Sequence, residues 1–279
     1  MRIIMKKLLF LILFTIFGFA KMPVVVSVVP EKIFVEKIGG DYVEVSVMIP
    51  VGSSPHTYEP KTSQMIKVSK AQLYFSIGLE FEEVWLDKFA NQNKTLKIID
   101  ISNDINKSIS VEHHGEKELD PHIWVDPINV KQIAVNITKA LSLEDKSHTA
   151  YYEKNLKIFL KELDALDAKI QSILKKTAKE TNFMVFHPAW GYFAKRYKLK
   201  QLAVEIEGKE PKMRALIQLI KKAKKEKVQA IFTQPEFSDK SAKIIAKDLN
   251  IAVIKASPLS QNWSETLIEL AKAIAHKKS

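Results

Sequence analysis

DKSHTAYYEKNLKIFLKELDALDAKIQSILKKTAKE, residues 145–180, contains neither Gly nor Pro. Apolar residues recur at Tyr152, Leu156, Phe159, Leu163, Leu166, Ile170, Ile173 and Leu174. Steps of three and four place them on one helical face, with Lys and Glu opposite. Glu153 and Lys157 form a favourable i,i+4 pair. Roughly 33 helical residues would span about 50 Å, wider than a small domain. On either side, short apolar strands alternate with amphipathic helices. The pattern predicts an α/β protein of two lobes, each a (β/α)4-type unit with a parallel-rich sheet. One long backbone helix joins them, and a site lies in the cleft. A single domain carrying one long surface helix is the competing reading.

The expected divisions are a targeting segment at 1–20, a first lobe at 21–143, the linking helix at 144–180 and a second lobe at 181–279. Arg2, Lys6 and Lys7 precede an apolar run from Leu8 to Phe17, and Gly18-Phe19-Ala20 offers small residues for cleavage. The run is short for a membrane span, so a cleavable signal peptide is expected; a retained N-terminal anchor is the alternative. The chain has no Cys. Lipid anchoring, disulfides and thiolate metal sites are therefore not expected, and a periplasmic location is. The formal net charge of +11 includes three charges in the leader. The remaining excess sits largely on helices, as at Lys221, Lys222, Lys224, Lys225 and Lys227. Nucleic-acid binding needs a basic stripe with interleaved aromatics, which is missing.

In the first lobe, Pro23–Val29 reads as a buried strand, Glu31–Ile38 as a short helix and Val43–Val47 as a second strand. The following stretch, Pro50-Val51-Gly52-Ser53-Ser54-Pro55-His56-Thr57-Tyr58-Glu59-Pro60, surrounds one His with turn-formers, predicting a rigid loop at a strand end. A helix over Glu80–Ala90 is expected to face Phe81, Val84, Trp85 and Phe89 inward. Residues 102–121 read as a polar loop. It carries His113 and His114 beside acids, a weak metal-capturing pattern. Asp120-Pro121-His122-Ile123-Trp124-Val125-Asp126-Pro127 places His122 beside an apolar strand. In the second lobe, Phe183–Phe186 is a strand with His187 directly after it.

His56, His122 and His187 thus stand at strand ends in two lobes. Imidazole is the commonest side-chain metal ligand near neutral pH, and three of them on a cleft suit tetrahedral Zn2+. Mn2+ prefers more oxygen.

These motifs resemble the metal-binding periplasmic proteins of ABC importers, cluster A-I, in the zinc-specific ZnuA-like branch of the ZnuA/TroA group. The resemblance rests on Pro55-His56-x-Tyr58-Glu59-Pro60, Asp120-Pro121-His122-Ile123-Trp124-x-Asp126-Pro127 and the helix with Tyr152 and Leu166-Asp167. It continues through Phe186-His187-Pro188-Ala189-Trp190-Gly191-Tyr192-Phe193, Glu207-Gly208-x-Glu210-Pro211 and the Phe232–Phe237 loop. It implies His56, His122 and His187 as ligands, Zn2+ as the transported ion, and a membrane permease with its cytoplasmic ATPase as partners of a monomeric binding protein. Manganese-preferring relatives usually have a carboxylate where His187 stands.

Two positions depart from the family. Ser257 stands where an Asp commonly completes the site. Water, or a carboxylate such as Glu205, Glu207 or Glu236, remains for the fourth position, with water favoured. The family's histidine-rich loop is reduced to His113-His114. A manganese-binding protein of the same family and a metal-dependent adhesin are the alternatives. Three His plus water is also a catalytic zinc layout, but there is no HExxH helix and no general base beside the histidines, so no enzymatic activity is expected.

Overall fold

The computed structural model describes residues 21–113, 116–205 and 210–275, and only the backbone course of 110–113 and 116–118. Two four-stranded parallel sheets dominate it. The first contains β1 (Met22–Val26), β2 (Val43–Val47), β3 (Leu73–Ser76) and β4 (Lys97–Asp100), in the order β2-β1-β3-β4. A hairpin of β5 (Ile109–His113) and β6 (Glu116–Leu119) follows. The second sheet contains β7 (Asn182–Val185), β8 (Lys200–Ala203), β9 (Ala230–Thr233) and β10 (Ala252–Lys255), in the order β10-β9-β7-β8. Read from the other edge this is the same topology. In each sheet the first strand in chain order lies between the second and the third, so the strand order reverses there. Open α/β sheets bind ligands at such a point, outside the carboxyl ends of the strands.

The helices are α1 (Val29–Gly39), α2 (Thr62–Lys70), α3 (Glu80–Gln92), α4 (Pro127–Glu144), α5 (Thr149–Leu174), α6 (Gly191–Arg196), α7 (Met213–Lys225), α8 (Lys240–Leu249) and α9 (Trp263–Ala275). The backbone helix is α5, with 26 residues, or about 39 Å at 1.5 Å per residue. It is shorter than the pattern predicts at both ends. Lys146–His148 forms a 3-10 turn before it. After Leu174 the chain turns to enter β7, with Glu180 at φ 63° and its amide donating to the Lys198 carbonyl at 2.7 Å. The predicted stripe is otherwise observed: Tyr152, Phe159, Leu163, Leu166, Ile170 and Leu174 are buried.

Three other expectations change. Residues 109–113 and 116–119 pair as the antiparallel strands β5 and β6 rather than forming a plain loop. Ile123–Val125 is a buried 3-10 turn, not a strand. Its Trp124 Nε1 donates to the Pro258 carbonyl at 2.8 Å, and this long-range bond outweighs the β-propensity of the segment. Val84 is exposed, whereas Phe81 and Phe89 are buried.

Alternation along the strands divides the apolar residues. Phe183 and Val185 of β7 join a core that runs from the first sheet, past α5, to the near face of the second. Met184 and Phe186 point the other way, into a separate outer core with Leu216, Ile231 and Ile245. The last helix returns to the first lobe: the Trp263 ring meets Phe34 of α1 edge-on at 5.0 Å, and Trp263 Nε1 donates to the Trp124 carbonyl at 3.0 Å. Asp167, on the buried face of α5, is held by Arg196 Nη2 at 2.7 Å and by Tyr197 Oη at 3.0 Å. Burial alone would raise this carboxyl's pKa, but Arg196 and Tyr197 hold it below the usual range. Among the described residues, no helix is long and apolar enough to cross a membrane.

Candidate metal centre

The structure gathers the three histidines. His187, two residues beyond the end of β7, is central: its ring centroid lies 5.3 Å from that of His56 and 5.2 Å from that of His122. Each ring has a carboxylate behind it. His56 Nδ1 lies 2.8 Å from Glu80 Oε2, His122 Nδ1 2.8 Å from Asp120 Oδ1, and His187 Nδ1 2.9 Å from Glu205 Oε1. An ionised carboxylate only accepts, so Nδ1–H donates and the neutral ring keeps its lone pair on Nε2. A carboxylate behind a histidine is the usual outer support of a metal ligand; it fixes ring orientation and raises basicity.

The three arms differ in burial. The side chains of His187 and Glu205 are 11% and 6% exposed, those of His122 and Asp120 14% and 7%, and those of His56 and Glu80 44% and 61%. Desolvation pushes the His187 pKa down, and the neighbouring His122 and His56 push the same way against Glu205. Its uncharged form, the one that binds metal, is thereby favoured.

Other residues brace these arms. Gln234, after β9, pairs with His187 twice, accepting from its backbone amide and donating to its carbonyl at 3.0 Å. Phe237 stacks on the His187 ring at 4.9 Å. Gln64 Oε1, at the base of the His56 loop, accepts from Tyr58 Oη at 2.8 Å and from the Lys61 amide at 2.9 Å. Among the described residues, no group of three or more His, Cys, Asp or Glu side chains forms a ready-made metal site.

Of the acids considered for a fourth position, Glu205 is engaged behind His187, and its Oε2 is buried with no hydrogen-bond partner. Glu236 Oε1 accepts from Ser257 Oγ at 2.9 Å, while its buried Oε2 has none. Burial raises the Glu236 pKa. Glu207 and His114 lie outside the described residues; His113 is the last residue of β5, and its side chain is not described. Nothing local in the sequence marks Glu80, Glu205 or Gln234 as supports, since each lies 18 or more residues from its histidine. Asp120, two residues before His122, is the partner that spacing alone could have found.

Residues 24–277 match the family model described as ZnuA, zinc-uptake complex component A, periplasmic. A solved structure of ZnuA is 41% identical, covers 92% of this chain and 98% of its own, and superposes with a TM-score of 0.86. The high-affinity zinc uptake system protein ZnuA of Bacillus subtilis is 30% identical over 243 residues, 82% of this chain and 76% of that one. The manganese ABC transporter substrate-binding lipoprotein scaA of Streptococcus gordonii is 30% identical over 233 residues, 78% of this chain and 73% of that one. The chain belongs to the ZnuA family, a family of metal-binding components of ABC importers rather than enzymes.

Proposed function

We propose that this protein captures Zn2+ in the periplasm and delivers it to the permease of an ABC importer, whose cytoplasmic ATPase drives uptake. His56, His122 and His187 bind the ion through Nε2. The observation that carries this reading is the carboxylate at 2.8–2.9 Å behind each of three neighbouring rings. The spacing supports it as well. Two imidazoles bound at about 2.0–2.1 Å to one tetrahedral ion hold their centroids roughly 5 Å apart, close to the 5.2 and 5.3 Å found here. Water takes the fourth position, because Glu205 is engaged at the back of His187 and Glu236 is engaged by Ser257.

Manganese is the second reading, favoured by a relative named for it at the same 30% identity as the zinc protein. Three imidazoles suit zinc better, since Mn2+ prefers oxygen donors.

Calorimetric titration of chelated residues 21–279 with Zn2+ and Mn2+ tests the proposal. One tight zinc site and weak manganese binding are expected. Tight manganese binding would move the protein to the manganese branch, and no tight site for either ion would overturn the capture role.

A further inference from the structure

The loop that carries His122 comes from the first lobe, yet much of its hold comes from the second. Tyr192 lies in α6, five residues after His187, so one short segment supplies both a candidate ligand and a strut. The Ser108 amide donates to Tyr192 Oη at 2.8 Å, and Tyr192 Oη donates to the Asp120 carbonyl at 2.9 Å. These two residues flank the β5–β6 hairpin and are themselves paired, Asp120 N donating to Ser108 O at 2.8 Å. The Tyr192 side chain is buried, and burial pushes its pKa up to about 12, so the hydroxyl keeps its proton. Next to it, a Cβ on Gly191 would stand only 2.9 Å from Asp120 Oδ2. The absence of a side chain at 191 lets α6 approach this closely.

Asp120 is the residue that aims His122. Its Oδ1 accepts from both the His122 amide at 2.9 Å and His122 Nδ1 at 2.8 Å. Asp120 is therefore pinned at its amide, its carbonyl and its carboxylate. Any rotation of its backbone would swing the imidazole. Farther along the loop, the Trp124–Pro258 and Trp263–Trp124 bonds fasten it again to the second lobe.

We infer that Tyr192 is a positioning residue for the metal site: from the second lobe, its hydroxyl fixes the Asp120 backbone whose carboxylate orients His122. The inference rests on reading His122 as a zinc ligand. Removal of an outer support of this kind typically costs 10–100-fold in metal affinity. Tyr192 acts one bond farther out, so the low end of that range applies.

The test uses Tyr192→Phe in residues 21–279, with Ile245→Ala in the outer core as a variant that destabilises without touching the site. Three quantities are read: Zn2+ affinity by chelator competition, Zn2+ release rate, and the His122 tautomer in the metal-free protein by 15N NMR. Tyr192→Phe is expected to weaken binding about tenfold, to speed release by a similar factor and to loosen the Nδ1–H tautomer of His122. Ile245→Ala should lower stability and leave all three unchanged. Wild-type affinity and tautomer in Tyr192→Phe, or equal losses in Ile245→Ala, would overturn the inference. The tautomer needs no metal, so it still decides the role of Tyr192 if the wild type binds no zinc; that outcome would sink the capture role alone.

Discussion

The two lobes share a strand order but use buried carboxylates differently. In the first lobe, the buried acids Glu31 and Glu82 serve the fold, whereas the buried Asp120 stands behind His122. Glu31 Oε2 accepts the Val28 amide at 2.8 Å at the start of α1. Glu82 accepts the amides of Ile77, Gly78 and Leu79 at the start of α3, and the Ser27 hydroxyl as well. Glu80, behind His56 in the same lobe, is exposed with its ring. In the second lobe, the buried acid Glu205 is the one behind His187. The first lobe thus supplies one exposed arm, His56, and one buried arm, His122, and the second lobe the buried arm His187, so burial presets two arms and leaves one adjustable. A preset arm gives affinity, because its orientation is fixed before the ion arrives. An exposed arm gives a way in.

The comparison is tested most severely by deleting the two ligands in turn. Removal of His187 should cost zinc affinity roughly a thousandfold, about 4 kcal/mol. Removal of His56 should cost roughly a hundredfold, about 3 kcal/mol, because water reaches the vacated position easily. Chelator competition on His187→Ala and His56→Ala reads both; equal losses would break the distinction. The carboxylates should follow the same order. Glu205→Gln is expected to weaken zinc by about 10–100-fold, and Glu80→Gln by severalfold at most, because solvent screens an exposed pair. A larger loss in Glu80→Gln would mean that the His56 arm is the preset one.

A smaller effect concerns the first lobe alone. Burial, reinforced by Glu82, raises the Glu31 pKa well above its ordinary value. The folded protein then keeps that proton to a higher pH than the unfolded chain. The stability contributed by Glu31 is full below its unfolded pKa, about 4.3, and is lost as the pH rises through the folded value. Glu31→Gln mimics the protonated form. It should raise Tm at pH 7.5 by about 2–4 °C, on the order of 1 kcal/mol, and by less at pH 5. Thermal melts at both values check the sign; a gain that grows in acid would contradict it.

The fold was largely legible because its signals are local. The apolar stripe on α5 and the β-branched runs of β1 and β2 need no partner to be recognised. What failed depended on distant residues. The end of α5 has no Gly or Pro to mark it, and the turn at Ile123–Val125 is set by Trp124 bonding to Pro258, 134 residues away. Asp167 is buried within the stripe because Arg196 and Tyr197 meet it from 29 and 30 residues on. The candidate site divides in the same way. The three histidines were visible because each stands beside Pro in a stretch that follows a strand. Glu80 and Glu205, 24 and 18 residues from their rings, became visible only once the chain was folded.

The central claim is a zinc ion held by three imidazoles drawn from both lobes. X-ray absorption at the zinc edge of the loaded protein tests it most directly. The predicted shell has three imidazole nitrogens and one oxygen at about 2.0–2.1 Å, falling to two imidazoles in His187→Ala. A shell with fewer than three imidazoles in the wild type, or one unchanged in His187→Ala, would contradict the account.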